Sequence, residues 1–309
     1  MSGPMIGTLL ALTTAIFWGA LPIVMKQVLE VMSPATIVWY RFVTAFIGLG
    51  VWLAWRGNLP KVNSFRISKV SILLLASLGL AANFVLFNTA LQYLAAPVVQ
   101  VIIQLAPVML LLANAILFKE KLGLHQIIGV SALFLGLMLF FNERLLELIS
   151  SLSGYTLGVI ITVCAALSWV VYGLSQKRLL QDFSSAQILF MVYGICAVLI
   201  TPLAEIEQIK LVNSKQAWFL LFCCVNTLVA YGAFAEALAR WHAAQVSALI
   251  TLTPLFTLIF VDLAALAWPE YVEHVALNKL AYVGALVVVA GAMFCAVGHK
   301  FIRARSSEV

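Results

Sequence analysis

Gln100, Gln104, Pro107 and Asn114 step by four, three and seven residues through a stretch without an acidic or basic side chain. On a helix those spacings share one face. Hydrocarbon cannot satisfy an amide, so the face must meet protein or water. Amides so arranged break no bonds; they can line a polar path through an apolar medium. At an offset of 147 residues Ser247, Thr251 and Pro254 repeat the stripe with hydroxyls, continued by Thr257 or Leu258. Helix-to-helix hydrogen bonding would use such residues one at a time, whereas two matched stripes favour a shared cavity. Asn83 and Asn88 flank Phe84 and Phe87, and Asn226 and Tyr231 stand in a corresponding later segment.

Charged groups inside apolar segments are rarer and therefore more informative. Arg41 lies six residues into one such segment, about 9 Å from its end at 1.5 Å per residue. Its planar fork suits a carboxylate in a way that Lys cannot copy; a clamp on helix-end carbonyls is the structural alternative. Glu236 stands four residues before Arg240, a spacing that first reads as an ion pair on one helix face and second as a proton-coupling carboxylate. Asp262 could serve in either role, and Lys26 and Lys177 are expected to snorkel to opposite interfaces. Trp18 and Trp169 sit in mid-segment, suited to packing against an apolar part of a solute or to wedging two halves apart. The expected substrate-binding set is Trp18, Arg41, Asn83, Phe87, Gln100, Gln104, Trp169, Tyr231 and Thr251, with Glu236 and Asp262 as proton-coupling candidates. His125, His242, His274 and His299 are scattered without metal-ligand spacing, so no metal, cofactor or catalytic residue is expected. No Gly-rich loop ends in Gly-Lys-Ser or Gly-Lys-Thr, which argues against ATP hydrolysis.

The elements that must position these groups follow from composition. With 64% apolar residues, 10% charged residues and a mean hydropathy of +1.08, the chain is far from the half-apolar, quarter-charged soluble norm. Spans of about 20 residues fit near 5–27, 35–55, 70–92, 96–117, 122–141, 154–176, 184–203, 217–239, 243–266 and 277–298. Val70 to Phe118 is 49 residues without an Asp, Glu, Lys or Arg, and it must fold back near Leu94-Ala95-Ala96-Pro97. The first five spans return in the last five. Phe17-Trp18-Gly19, Lys26 and Ser33 match Ser168-Trp169-Val170, Lys177 and Ser184 at an offset of 151, and Gly129 and Gly136 match Gly284 and Gly291 at 155. The expected fold is all-α and integral to the membrane, with ten transmembrane helices in two five-helix repeats, residues 1–145 and 150–300, and a cytoplasmic tail, 301–309.

Lys and Arg counts on alternate loops give 12 against 5 when the N-terminus is inside, which places both termini in the cytoplasm. Five spans per repeat is an odd number, so the second repeat is expected to be inverted. The net charge of +6 sits on those inner loops and reads as topology rather than as a nucleic-acid signal. Cys164, Cys196, Cys223, Cys224 and Cys295 fall within spans and read as packing residues. Met5 to Met25 lacks a basic leader region and reads as the first span.

Phe17-Trp18-Gly19 with its downstream lysine, Arg41-Phe42 with Ala45, Pro107 and Pro254, and Glu120 and Glu270 after the proline-bearing spans together resemble the EamA-type drug/metabolite transporter superfamily, from Gly7 to Val297. Val170 replaces the counterpart of Gly19, and Val192 that of Arg41, so the halves cannot contribute equally to a site. The resemblance implies a carrier of the bacterial inner membrane, usually an exporter of amino acids, related metabolites or drugs, with a central cavity between the repeats. The sparsely charged lining suits an amino acid or amino-acid-like compound moved by alternating access. Efflux of many amphipathic compounds is the nearest alternative and a membrane-embedded enzyme a more distant one. The expected partners are the small-molecule substrate and the lipid bilayer, with no nucleic acid; assembly as a homo-oligomer stays open.

Overall fold

Ser33 and Ser184, two of the residues that recur at an offset of 151, each start a helix. The Ser33 hydroxyl accepts the backbone N–H of Thr36, and that of Ser184 accepts the N–H of Gln187, which satisfies donors that a helix start leaves open. The computed structural model describes residues 3–60, 67–119, 122–272 and 275–298. They form α1 (Gly3–Val28), α2 (Pro34–Trp55), α3 (Ile67–Ala90), α4 (Ala96–Ile102), α5 (Leu105–Phe118), α6 (Leu124–Phe140), α7 (Leu145–Ser150), α8 (Gly154–Leu179), α9 (Ser185–Ile200), α10 (Ser214–Arg240), α11 (Ala243–Ile250), α12 (Thr253–Ala267) and α13 (Lys279–Val297). Among the described residues, nine helical segments are long and apolar enough to cross a bilayer, and α6 is a shorter apolar helix of 17 residues. At 1.5 Å per residue α6 reaches about 26 Å, close to the hydrocarbon thickness. Glu120, His274, His299, Lys61, Arg66, Lys121 and the tail 301–309 lie outside the described residues, as does the side chain of Asn114.

Two spans expected to be continuous are broken. Residues 96–117 divide into α4 and α5, and residues 243–266 into α11 and α12. The cause is proline: Pro107 and Pro254 have no N–H for the carbonyls four residues back, and their rings crowd those carbonyls. Those are the carbonyls of Ile103 and Ile250. Ile103 instead accepts the N–H of Ala106 at 2.9 Å, and Ile250 accepts the Thr253 hydroxyl at 2.6 Å. Gln104 stands at the first break and Thr251 at the second, again at an offset of 147.

Most of the packing is kept when the halves are exchanged. α3 lies on α8 as α10 lies on α1, α5 on α8 as α12 on α1, and α3 on α9 as α10 on α2. The pairs α2–α9 and α6–α13 are their own counterparts, whereas α4–α12 and α11–α13 have no mirrored pair of like extent. One pair of hydrogen-bonded positions also obeys the exchange, with donor and acceptor reversed. Asn83 Nδ2 donates to the Ala165 carbonyl at 2.8 Å and Thr14 Oγ1 to the Ala230 carbonyl at 3.1 Å, and Thr14 and Ala230 are the counterparts of Ala165 and Asn83. The fold is two inverted five-helix repeats. In α6 and α13 the paired glycines let the backbones touch: a Cβ on Gly129 would meet the Gly291 carbonyl at 2.7 Å, and one on Gly136 the Gly284 carbonyl at 2.8 Å. The reverse contacts are 2.7 Å each.

α7 joins the halves outside the spans. Its Glu147 carboxyl is held below the usual carboxylate range by the Ser153 hydroxyl and the Arg144 guanidinium, while Leu146, Ile149 and Leu152 stand exposed beside it, as suits a segment lying in the membrane interface.

Candidate functional site

Ten of the helical elements surround a central cavity of about 440 Å³. Every residue expected to bind substrate lines it: Trp18 from α1, Arg41 from α2, Asn83 and Phe87 from α3, Gln100 from α4, Gln104 at the first break, Trp169 from α8, Tyr231 from α10 and Thr251 at the second break. Ser247 and Thr253 complete the polar part. The breaks expose backbone that hydrocarbon would not tolerate, and here it borders a cavity.

Arg41 is only 3% exposed. Its Nε donates to Thr227 Oγ1 at 3.0 Å, and that hydroxyl in turn donates to the Cys223 carbonyl at 3.0 Å. The guanidinium carbon lies 4.5 Å from the centre of the Phe84 ring, which fixes the plane by cation–π attraction. No carboxylate pairs with Arg41 among the described residues, nor do carbonyls clamp it. Its terminal nitrogens, with four N–H groups, therefore face the cavity with no protein acceptor among the described residues. A guanidinium stays charged under all ordinary conditions. The lining holds no Asp or Glu among the described residues.

One wall is aromatic. Tyr231 packs edge-on against Trp18 at 5.2 Å and tilts against Phe84 at 6.0 Å, and Trp18 continues to Phe234 at 5.8 Å. Phe87 and Trp169 bring the aromatic lining residues to six. Trp18 is anchored through its own backbone. The carbonyls of Phe17, Trp18 and Gly19 accept from Asn226 Nδ2 at 2.6 Å, Gln100 Nε2 at 2.9 Å and Thr257 Oγ1 at 2.9 Å. Pro22 stands four residues after Trp18 and has no N–H to give its carbonyl; Gln100 supplies the missing donor. The corresponding position of α8 is Gly173, so this arrangement belongs to the first half alone.

Beyond Leu21, toward the end of the bundle away from both termini, Met25, Val98, Ile102, Leu258 and Val261 close in one apolar cluster. In the other direction Leu110, Cys295 and Ala296 carry the lining toward the end where α1 begins and α13 finishes.

Other polar residues have other places. Asn88 is fully buried with neither side-chain atom paired, and Asn226 and Thr257 serve helix-to-helix bonds. Glu236 and Arg240 form an ion pair, 2.7 Å from Nε, with 49% and 44% of their side chains exposed. Asp262 faces the Tyr282 hydroxyl at 3.4 Å. Neither acid is among the lining residues. Lys26 does more than snorkel: its Nζ donates to the Leu94 carbonyl at 3.1 Å and ties α1 to the α3–α4 turn. Phe234, Ala292 and Cys295 line the cavity unannounced, because an aromatic or small apolar residue carries no polar signal in an apolar span.

Comparison with known proteins agrees with this architecture. The EamA-like transporter family model matches residues 5–142 and again 156–297. An uncharacterized inner membrane transporter of Escherichia coli K12, YhbE, is 54% identical over 296 residues, 96% of this chain and 92% of that one. An uncharacterized transporter of Haemophilus influenzae is 44% identical over 97% of both chains. A probable amino-acid metabolite efflux pump of Escherichia coli K12 is 22% identical over 96% of both. One solved crystal structure superposes with a TM-score of 0.63 at 16% identity, covering 93% of this chain and 94% of its own, a likeness of fold. With both halves matched, and relatives named as inner membrane transporters along nearly its whole length, the chain is a multi-pass inner membrane protein that belongs to the EamA-like transporter family.

Proposed function

We propose that this transporter exports a small organic metabolite bearing a carboxylate, an amino acid or an amino-acid-like compound, by alternating access of the two repeats around the central cavity. The observation that carries the proposal is Arg41: a buried, permanently charged fork whose terminal N–H groups open on a cavity without a fixed anion among the described residues. Burying a cation is costly unless a partner arrives, and a bidentate carboxylate is the partner its geometry fits. The aromatic wall takes the apolar body of the solute, and Gln104, Thr251 and Asn83 stand ready to orient its remaining polar groups. With both termini in the cytoplasm, the cavity reaches toward the cytoplasmic end while the apolar cluster around Met25 seals the other, a loading state for export. The name of the distant efflux pump supports the substrate class.

Broad efflux of amphipathic compounds draws on the same aromatic wall. It has no use for Arg41, and this separates the two readings. Cells overexpressing the chain should lose a specific acidic or amino-acid-like metabolite to the medium, measured by mass spectrometry against cells expressing Arg41→Ala at equal level. Equal loss from both, spread over unrelated amphipathic compounds, would favour broad efflux.

A further inference from the structure

Resting on that reading of Arg41, we infer that the transported species is a monoanion, a carboxylate with no charged amine, and that export is electrogenic, driven by the membrane potential itself. Three observations converge. First, the fixed charge of the described lining is +1: Arg41 is its charged side chain, and no Asp or Glu is present to face an ammonium. Free amino acids are zwitterions, and their ammonium would have to leave water for a cavity already positive, with amides and hydroxyls as its acceptors. A carboxylate whose nitrogen is acylated or absent meets no such penalty. Second, the helix breaks add little charge of their own. Each sets the C-terminal end of one short helix, α4 or α11, against the N-terminal end of the next, α5 or α12, so the opposed end charges nearly cancel.

Third, no group that exchanges a proton near neutral pH lines the cavity among the described residues. The ionisable lining residues besides Arg41 are Tyr231 and Cys295, whose ordinary values lie above neutrality. Glu236 is held by Arg240 outside the cavity, and Asp262 faces Tyr282. A carrier that moves its protein charges back and forth in each cycle transfers, in net, the charge of its cargo. With an anion and no proton taken up, one negative charge crosses per turnover. A cell interior that is negative pushes that charge outward whichever way the protein is inserted, and about 100 mV sustains a concentration ratio on the order of 50. The energy source and the direction of export then follow from the same residue.

N-acetylphenylalanine and phenylalanine share a carbon skeleton and differ in the charge on nitrogen, so they serve as the probe pair. The purified chain is reconstituted in liposomes loaded with either labelled probe, and potentials are set with potassium gradients and valinomycin. Efflux of N-acetylphenylalanine should rise severalfold when the lumen is made negative, fall when it is made positive, and exceed that of phenylalanine at least tenfold. Arg41→Lys, which keeps the charge but not the fork, should retain the response to potential at a raised KM, and Arg41→Gln should lose the flux. Faster efflux of phenylalanine, indifferent to potential and lost in Arg41→Gln, would overturn the monoanion while leaving the carboxylate site in place. Equal flux of both probes through wild type and Arg41→Gln would overturn the site as well.

Discussion

Arg41 and Gln100 do opposite jobs with similar chemistry, one left open for a ligand and one spent inside the protein. Gln100 gives its amide to the carbonyl that Pro22 orphans at Trp18, and this holds the indole of Trp18 against Tyr231. Gln100→Leu should leave that carbonyl unsatisfied and cost about 1–3 kcal/mol, read as a lowered melting temperature of the purified protein; an unchanged value would show that another donor takes over. Glu236 belongs to an exposed pair with Arg240, and such pairs contribute about 0–1 kcal/mol. Glu236→Gln should therefore leave flux within about twofold of wild type, with or without a pH gradient; loss of gradient-driven flux alone would return it to proton coupling. The lining stripe was legible in the sequence because amides and a guanidinium are anomalous in an apolar span. Thr227, which orients Arg41 across 186 residues of chain, was not, because a threonine in a membrane helix usually bonds its own backbone and so carries no distinguishing mark.

At the scale of the element, the repeated glycines have a packing reason. The seven-residue interval between Gly129 and Gly136, and between Gly284 and Gly291, puts each pair near one helix face, and α6 meets α13 backbone to backbone along it. Gly136→Ala should destabilise the protein by about 1–3 kcal/mol through overpacking. Adding Gly284→Ala should cost less than the sum of the two single changes, since both Cβ atoms press on one contact; strict additivity in thermal unfolding would speak against the seam. Helix positions were legible from charge-free length. The breaks were half legible. Pro107 and Pro254 announce a kink, but whether the chain bends or divides depends on what receives the freed carbonyl. Thr253 takes that of Ile250, and nothing in local composition specifies that.

Across the whole molecule, duplication made the symmetric architecture readable: two copies of an odd number of spans have one orientation each. Which end faces the cytoplasm rests on the loop charges, and it gives a further expectation. A cysteine introduced in the segment 205–215 of a cysteine-free background should react with an impermeant maleimide in intact cells, while tags at either terminus should be protected; the reverse pattern would invert the cavity and with it the loading side. What duplication hid is the asymmetry between the halves. Arg41 answers to Val192 and Pro22 to Gly173, so the charge and the carbonyl supported by Gln100 lie on one half of a nearly symmetric frame. The most direct test of that frame as a transport site is efflux from sealed liposomes holding wild type or Arg41→Ala at matched content, each loaded with the same mixture of labelled amino acids and N-acyl amino acids. Wild type should release at least one of these carboxylates faster than protein-free liposomes, and Arg41→Ala should release it no faster than they do; wild-type flux through Arg41→Ala would contradict the account.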